Sequence, residues 1–381
     1  MLNSETISSP DSTYVNILHS CHDHQAIAYY EKHGASTVEH AFAIANILHI
    51  HSKVLEASYF YRVAFDLHGK TQTEFPLPQS LLQVRLLCLL KSSNVPPPEE
   101  LEELATYSPA LANYIRGIQI AWQDGKVGQG LDLIGNAFEI FHSGEEIDRL
   151  YLELALRYAP VGLRSGEDIA SPNPIPSHLY MYWDCDPPEE IRDNILYHQE
   201  LLGPRFTIFD RESATKWLYD NYGKEIAEIF RKVRHPAEGA DLLRLYVIMA
   251  NGGWWLDADL RIRSLEAWKK LTTGSIKECH LFTTHNYVLH NDFFGAAPSN
   301  GIVSNGAMMA LVNTFEHCGL YIAFKTGPGV LNRAVSRAIY SALQSHRPLC
   351  DLQIDDQHQF NETVEEYEVT YKIHGASWHS A

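Results

Sequence analysis

Residues 236–263, PAEGADLLRLYVIMANGGWWLDADLRIR, constrain this chain more than any other stretch. Asp241, Leu242, Leu245, Ile248 and Met249 recur at helical spacing, and Gly252-Gly253 follows as a helix stop. Trp254, Trp255 and Leu256 are bulky residues suited to a buried strand. Asp257 and Asp259 come next, separated by Ala258. On an extended backbone, residues two apart point the same way. Two carboxylates so placed repel, and a hard divalent cation removes the repulsion while gaining oxygen ligands. Asp241 and Arg244 lie three apart on one helical face. An Asp-X-Asp alone occurs in many solvated loops. A helix that passes through a glycine pair into a buried strand ending in Asp-X-Asp is a much narrower pattern.

The order and spacing of Ala240, Asp241, Arg244, Gly252, Gly253, Trp255, Leu256, Asp257 and Asp259 resembles the sugar-binding, Asp-X-Asp region of family 32 glycosyltransferases and their relatives. These include fungal initiating mannosyltransferases and the catalytic domains of large clostridial glucosylating toxins. The resemblance covers most of residues 170–381 and nothing in residues 1–160. It implies a GT-A-like α/β domain of the nucleotide-diphospho-sugar transferase kind, using Mn2+ (or Mg2+). It also implies transfer of a hexose with retention of configuration from a nucleotide-sugar donor, a UDP-sugar ahead of GDP-mannose. Asp259 would be the principal metal ligand. Asp257 would bind the ribose or sugar and assist the metal through water. Asp241 and Arg244 would hydrogen-bond the donor sugar.

Further matches extend the same reading. Ile175, Pro176, Tyr182 and Trp183 match the start of the family's catalytic domain, although Tyr180 or Met181 stands where the family has histidine. By resemblance Trp183 stacks on the nucleobase; the alternative is a core tryptophan at a strand end. Asn305 falls in a helix opening, VSNGAMMA, that lies beside the donor or acceptor sugar in the family. KTGPGVLNRAV (325–335) matches a Thr-Gly-Pro turn before a helix, shaping the pocket wall. His374, Ser377 and Trp378 match the family's closing segment. They imply contacts to the metal from His374 or Ser377 and to the phosphates from Trp378.

Around this segment, strands are expected at 175–183, 204–210, 278–286 and 291–300, and helices at 189–202 and 212–233. Strand alternating with helix implies a parallel α/β sheet, with ligands at the C-terminal strand ends. Residues 1–14 read as a loose tail. Helices follow at 24–32, 37–51, 54–68, 79–92, 98–105, 109–123, 129–142 and 145–157. The proline- and glycine-rich segment 160–176 reads as a linker. The expected division is therefore an all-helical domain over 1–165 and a GT-A-like domain over 166–381. Ile44, Ala45, Leu48, Ala57, Tyr61 and Ala64 fall where a tetratricopeptide-like hairpin places its packing residues. Gly117, Ile120, Gly130, Ile134 and Ala137 fit the same pattern with a one-residue shift. A plain helical bundle is the alternative. Stacked hairpins would offer a surface to a protein partner.

Charge narrows the partners. With 47 acidic against 30 basic residues and a net charge of −17, a broad surface for nucleic acid or anionic membrane is not expected. No apolar run reaches membrane-spanning length and no signal-peptide pattern is present, so a cytoplasmic enzyme is expected, with a secreted effector as the alternative. The six cysteines, Cys21, Cys88, Cys185, Cys279, Cys318 and Cys350, are scattered and read as free thiols. The acceptor stays open among glycan, protein and small molecule. A different function class is a non-catalytic sugar- or nucleotide-binding scaffold with a partner-binding helical half. The intact Asp241, Arg244, Asp257 and Asp259 and the matching tail weigh against it.

Overall fold

The computed structural model describes residues 10–71, 74–141, 146–162, 173–274, 277–346, 349 and 351–370. By contact the chain forms two units, Met1–Ala137 and Phe138–Ala381.

The first unit is all-α. Its helices are Pro10–Cys21, His24–His33, Val38–Ile50, Val54–His68, Pro78–Lys91, Pro98–Tyr107, Pro109–Gln123 and Val127–Ile134. Side-chain caps start several of them: Asp23 accepts from the Ala26 N–H, Thr37 from His40 and Ser108 from Leu111. Proline opens two others, and the Ser108-capped helix as well, at a position where no amide hydrogen is needed. Ile44, Ala45, Leu48, Ala57, Tyr61 and Ala64 are all buried. Gly117 and Gly130 bring two helices into backbone contact, since a Cβ on Gly117 would lie 2.6 Å from the Gly130 carbonyl. Two expectations fail here. Residues 10–14 belong to the first helix rather than a tail. The helix expected over 129–142 stops at Ile134, because Gly135 turns the backbone to φ +56.

The second unit is α/β. Its strands are β1 (Leu179–Tyr182), β2 (Phe206–Phe209), β3 (Gly253–Leu256), β4 (Leu260–Ile262), β5 (Cys279–Phe282), β6 (Phe293–Ala296), β7 (Leu352–Asp355) and β8 (Val364–Glu366). Six form one sheet in the order β2-β1-β3-β6-β5-β7, and β4 pairs with β8. β1 runs parallel to both β2 and β3, and β5 parallel to β7. β6 runs antiparallel to both its neighbours, so the sheet is mixed rather than all-parallel. The cause is the β5–β6 link, residues 283–292. It has no helix to carry a crossover and folds back through a Thr283–Leu289 bridge.

Trp254, Trp268, Phe282, Phe293 and Phe360 centre the core beside the sheet. The strand expected from residue 175 begins only at Leu179, because Pro176 cannot donate to a ladder and its carbonyl instead closes a turn with the His178 N–H. The helix expected over 212–233 is two helices, Arg211–Tyr222 and Lys224–Arg231, parted by Gly223 at φ +88.

The helix Glu146–Gly162, read from sequence as the last of the helical half, packs within the second unit on the helix Pro328–Ser345. A buried ion pair joins them. Arg333 places Nε 2.9 Å from Asp148 Oδ1 and Nη2 3.0 Å from Oδ2, and Nη1 donates to the Phe141 carbonyl at 2.8 Å. Among the described residues no helix is long and apolar enough to cross a membrane.

Candidate active site

The helix Pro236–Asn251 begins at His235, whose Nδ1 accepts from the Ala237 N–H, and ends at Gly252. Its first turn is fastened by a buried ion pair between Glu238 and Lys325. Gly252 and Gly253 both adopt positive φ, +63 and +104. A Cβ on Gly252 would meet Pro298 at 2.6 Å and one on Gly253 would meet the His178 carbonyl at 2.8 Å. Only glycine therefore lets the chain leave the helix and enter the sheet beside β1. β1 pairs Leu179 with Trp254 and Tyr180 with Trp255. Continuing that register brings Tyr182 level with Asp257, at the C-terminal edge of both parallel strands.

Arg244 joins the predicted carboxylates. Its Nη2 lies 2.9 and 3.0 Å from the two oxygens of Asp257, and its Nη1 lies 3.0 Å from Asp241 Oδ1 and donates to the Asn291 carbonyl at 2.7 Å. Asp241 also accepts from Asn291 Nδ2 at 3.0 Å and from Thr326 Oγ1 at 2.9 Å. Trp255 Nε1 donates to Asp257 Oδ1 at 2.7 Å, and the Trp255 ring lies under the Arg244 guanidinium. Arg244 and Asp241 are almost wholly buried, whereas the Asp257 side chain is 28% exposed. The network thus holds Asp257 from behind and leaves one edge open. Arg244 Nε has no partner among the described residues, which is costly in a buried position.

Charge in this region is unbalanced. Burial raises the Asp241 pKa to about 6, against the pull of Arg244. Burial also raises that of Asp257; Arg244 opposes the rise, while Asp259 and Asp292 add to it by repulsion. Asp292 is in turn bound by His290 Nδ1 at 2.9 Å. Burial disfavours charge on His290, but Asp292 and Gln357 raise its pKa overall. Excess carboxylate at an open edge suits a hard divalent cation, which takes one or two carboxylates and fills its remaining positions with water and phosphate. Asp257 and Asp259 have that donor chemistry. Among the described residues, no three or more His, Cys, Asp or Glu side chains are arranged to hold a metal.

Trp183 follows β1 directly. It is half-buried against the core, with Nε1 donating to the Cys185 carbonyl at 3.0 Å and its backbone N–H to Phe209. Asn305 sits in the helix Gly301–Glu316 and accepts from Arg337 Nη1 at 3.1 Å, while Arg337 pairs with Glu139. No hydrogen bond among the described residues ties Asn305 to Asp241, Arg244 or Asp257. His374, Ser377 and Trp378 lie outside the described residues, as does Cys350. The other five cysteines are free thiols; Cys185 and Cys318 are exposed.

Asn291 and Thr326 are members of the network that sequence reasoning missed. Thr326 was legible only as the first residue of a Thr-Gly-Pro turn, and Asn291 as the first residue of an expected strand.

No protein-family model matches the chain. No curated protein matches it either. Among solved structures it is similar to one described as "PaToxG Glycosyltransferase", with 15% identity and a TM-score of 0.34 over 56% of this chain and 92% of that one. A likeness of that size leaves function to be read from the site itself.

Proposed function

We propose that the α/β unit is a GT-A-like glycosyltransferase that moves a hexose from a nucleotide-sugar donor, a UDP-sugar ahead of GDP-mannose, to an acceptor hydroxyl. Mn2+ or Mg2+ would be held by Asp259 with Asp257. One observation carries the reading. At the C-terminal ends of β1 and β3, the buried Asp241–Arg244–Asp257 network fixes one member of a carboxylate pair whose repulsion a divalent cation relieves. Ligands of α/β sheets bind beyond those strand ends.

When bound, the cation neutralises charge developing on the departing diphosphate. The remaining work falls to side chains. Arg244 and Trp255 orient Asp257. Trp183, at the neighbouring strand end, stacks on the base. Asp241 already accepts three hydrogen bonds of the roughly four a carboxylate can take. It retains one acceptor position for a sugar hydroxyl, and three hydrogen bonds already held make it a poorer covalent nucleophile than a free carboxylate. Retention is what the resemblance to family 32 glycosyltransferases implies, and it is met by a front-face transfer: the acceptor oxygen bonds to the anomeric carbon as the bond to the leaving phosphate breaks. The acceptor proton passes to that phosphate.

The test is thermal stability with a panel of nucleotides and nucleotide sugars, with and without Mn2+, for the wild type and Asp259→Ala. A ligand that binds only the native state raises the midpoint by mass action. A Mn2+-dependent shift with one nucleotide class, lost in Asp259→Ala, is expected. Absence of any shift with any nucleotide overturns the reading.

A further inference from the structure

Building on that function, we infer that Asn194 is a positioning residue that sets the direction of the Asp259 carboxylate. Asn194 sits on the helix Glu189–Leu202 with no exposed surface. Its side-chain amide donates to the Ala258 carbonyl at 2.9 Å and to the Leu260 carbonyl at 2.7 Å. Those two residues flank Asp259. Its Oδ1 accepts from Arg261 Nε at 2.9 Å, so the orientation of the amide is fixed: reversed, it would set oxygen against two carbonyl oxygens.

The rest of the turn is equally committed. The Asp257 carbonyl accepts from the Leu260 N–H at 3.0 Å, and the Asp259 carbonyl accepts from the Tyr367 N–H at 2.9 Å. Every carbonyl from Asp257 to Leu260 therefore has a donor, and a single side chain supplies two of the four. Arg261 is itself clamped between the Tyr197 ring at 4.4 Å and the Tyr367 ring at 3.9 Å. A carboxylate on a loosely held turn would sample several directions. Here the turn has one.

The proposal predicts a change in cation affinity separate from any change in stability. Outer residues that orient metal ligands typically contribute 10–100-fold to affinity. The experiment titrates the full chain with Mn2+, with and without UDP, and reads free Mn2+ by electron paramagnetic resonance. Asn194→Ala is expected to fold, to exchange amide hydrogens faster at 258–262, and to bind Mn2+ about 10–100-fold more weakly. A folded Asn194→Ala whose Mn2+ affinity stays within twofold of wild type overturns the inference, because a merely structural role lowers stability without moving affinity. Should Asn194→Ala not fold, Arg261→Lys takes its place. It keeps the charge, loses the clamp, and is expected to weaken Mn2+ in the same direction; unchanged affinity again overturns the inference. Wild-type protein that binds no Mn2+ in either condition overturns the proposed metal site itself, whatever the variants do.

Discussion

Asp257 and Asp292 stand opposite each other where β3 and β6 part, the Asp257 N–H donating to the Asp292 carbonyl at 2.8 Å. Directly opposed residues of antiparallel strands share a face, and like charges there are destabilising. The site is thus built with repulsion in it, balanced on one side by Arg244 and on the other by His290.

Removing one charge tests that balance. Asp292→Asn is expected to stabilise the ligand-free protein by up to about 1 kcal/mol, or a few degrees in Tm. It should also shrink the stabilisation that Mn2+ confers. Differential scanning fluorimetry with and without Mn2+ reads both. A lower midpoint without Mn2+ would mean that the His290 hydrogen bond outweighs the repulsion.

Arg244 gives a sharper prediction. Arg244→Ala leaves Asp241 and Asp257 buried without their shared counter-charge, and about 3–5 kcal/mol of stability should be lost. Arg244→Lys keeps the charge but not the planar fork that spans both carboxylates. It is expected to fold and to lose at least about tenfold in donor hydrolysis, since a misplaced positioning group costs up to 100-fold. Urea denaturation and a hydrolysis assay separate the two effects. An Arg244→Ala variant as stable as wild type would remove the network from the account.

The grouping of Asp241, Arg244 and Asp257 was legible in sequence because one uninterrupted segment carries them, with helical spacing up to the glycine pair and strand spacing after it. Asn291 and Thr326 were not. They lie 50 and 85 residues from Asp241 and are single polar side chains with no period to mark them. Asn194 reaches its carbonyl partners from 64 and 66 residues away, and the pattern of its helix records only which face is apolar. The strands β4, β7 and β8 were missed for a related reason. Each is only three or four residues long and at least partly exposed in places, so alternation has no room to show. The antiparallel course of β6 depended on a link without a helix, which strand signals alone do not reveal.

His198 makes stability depend on pH. Its Nδ1 donates to the Asn194 carbonyl at 2.8 Å and its Nε2 accepts from the Ile262 N–H at 3.2 Å, so the ring is neutral. Burial lowers its pKa from 6.5 to about 4. The neutral ring's contribution is complete above pH 6.5 and is lost as pH falls from there toward 4, with roughly 3 kcal/mol at stake. Urea midpoints at pH 7.5 and 5 should differ less in His198→Gln than in wild type. An equal difference would place the titration elsewhere.

The Asp148–Arg333 pair offers a double-mutant cycle. Asp148→Ala alone leaves a buried guanidinium uncompensated and should cost about 3–5 kcal/mol, whereas Asp148→Leu with Arg333→Met should lie near wild type. Chemical denaturation of wild type, Asp148→Leu, Arg333→Met and the double variant measures the coupling. A double variant as unstable as the single would mean that shape rather than charge is at fault.

That ion pair also dictates where this chain can be divided. A fragment starting at residue 166, within the proline- and glycine-rich stretch that reads from sequence as a natural cut, would leave Asp148 behind and keep Arg333 with its charge orphaned. One starting at Phe138 keeps both partners and the Phe141 carbonyl. Any transplant of the α/β unit into another protein has to carry the helix Glu146–Gly162 with it. A cut at the apparent linker therefore strips a buried guanidinium of its counter-charge, and a cut some thirty residues earlier keeps the pair whole.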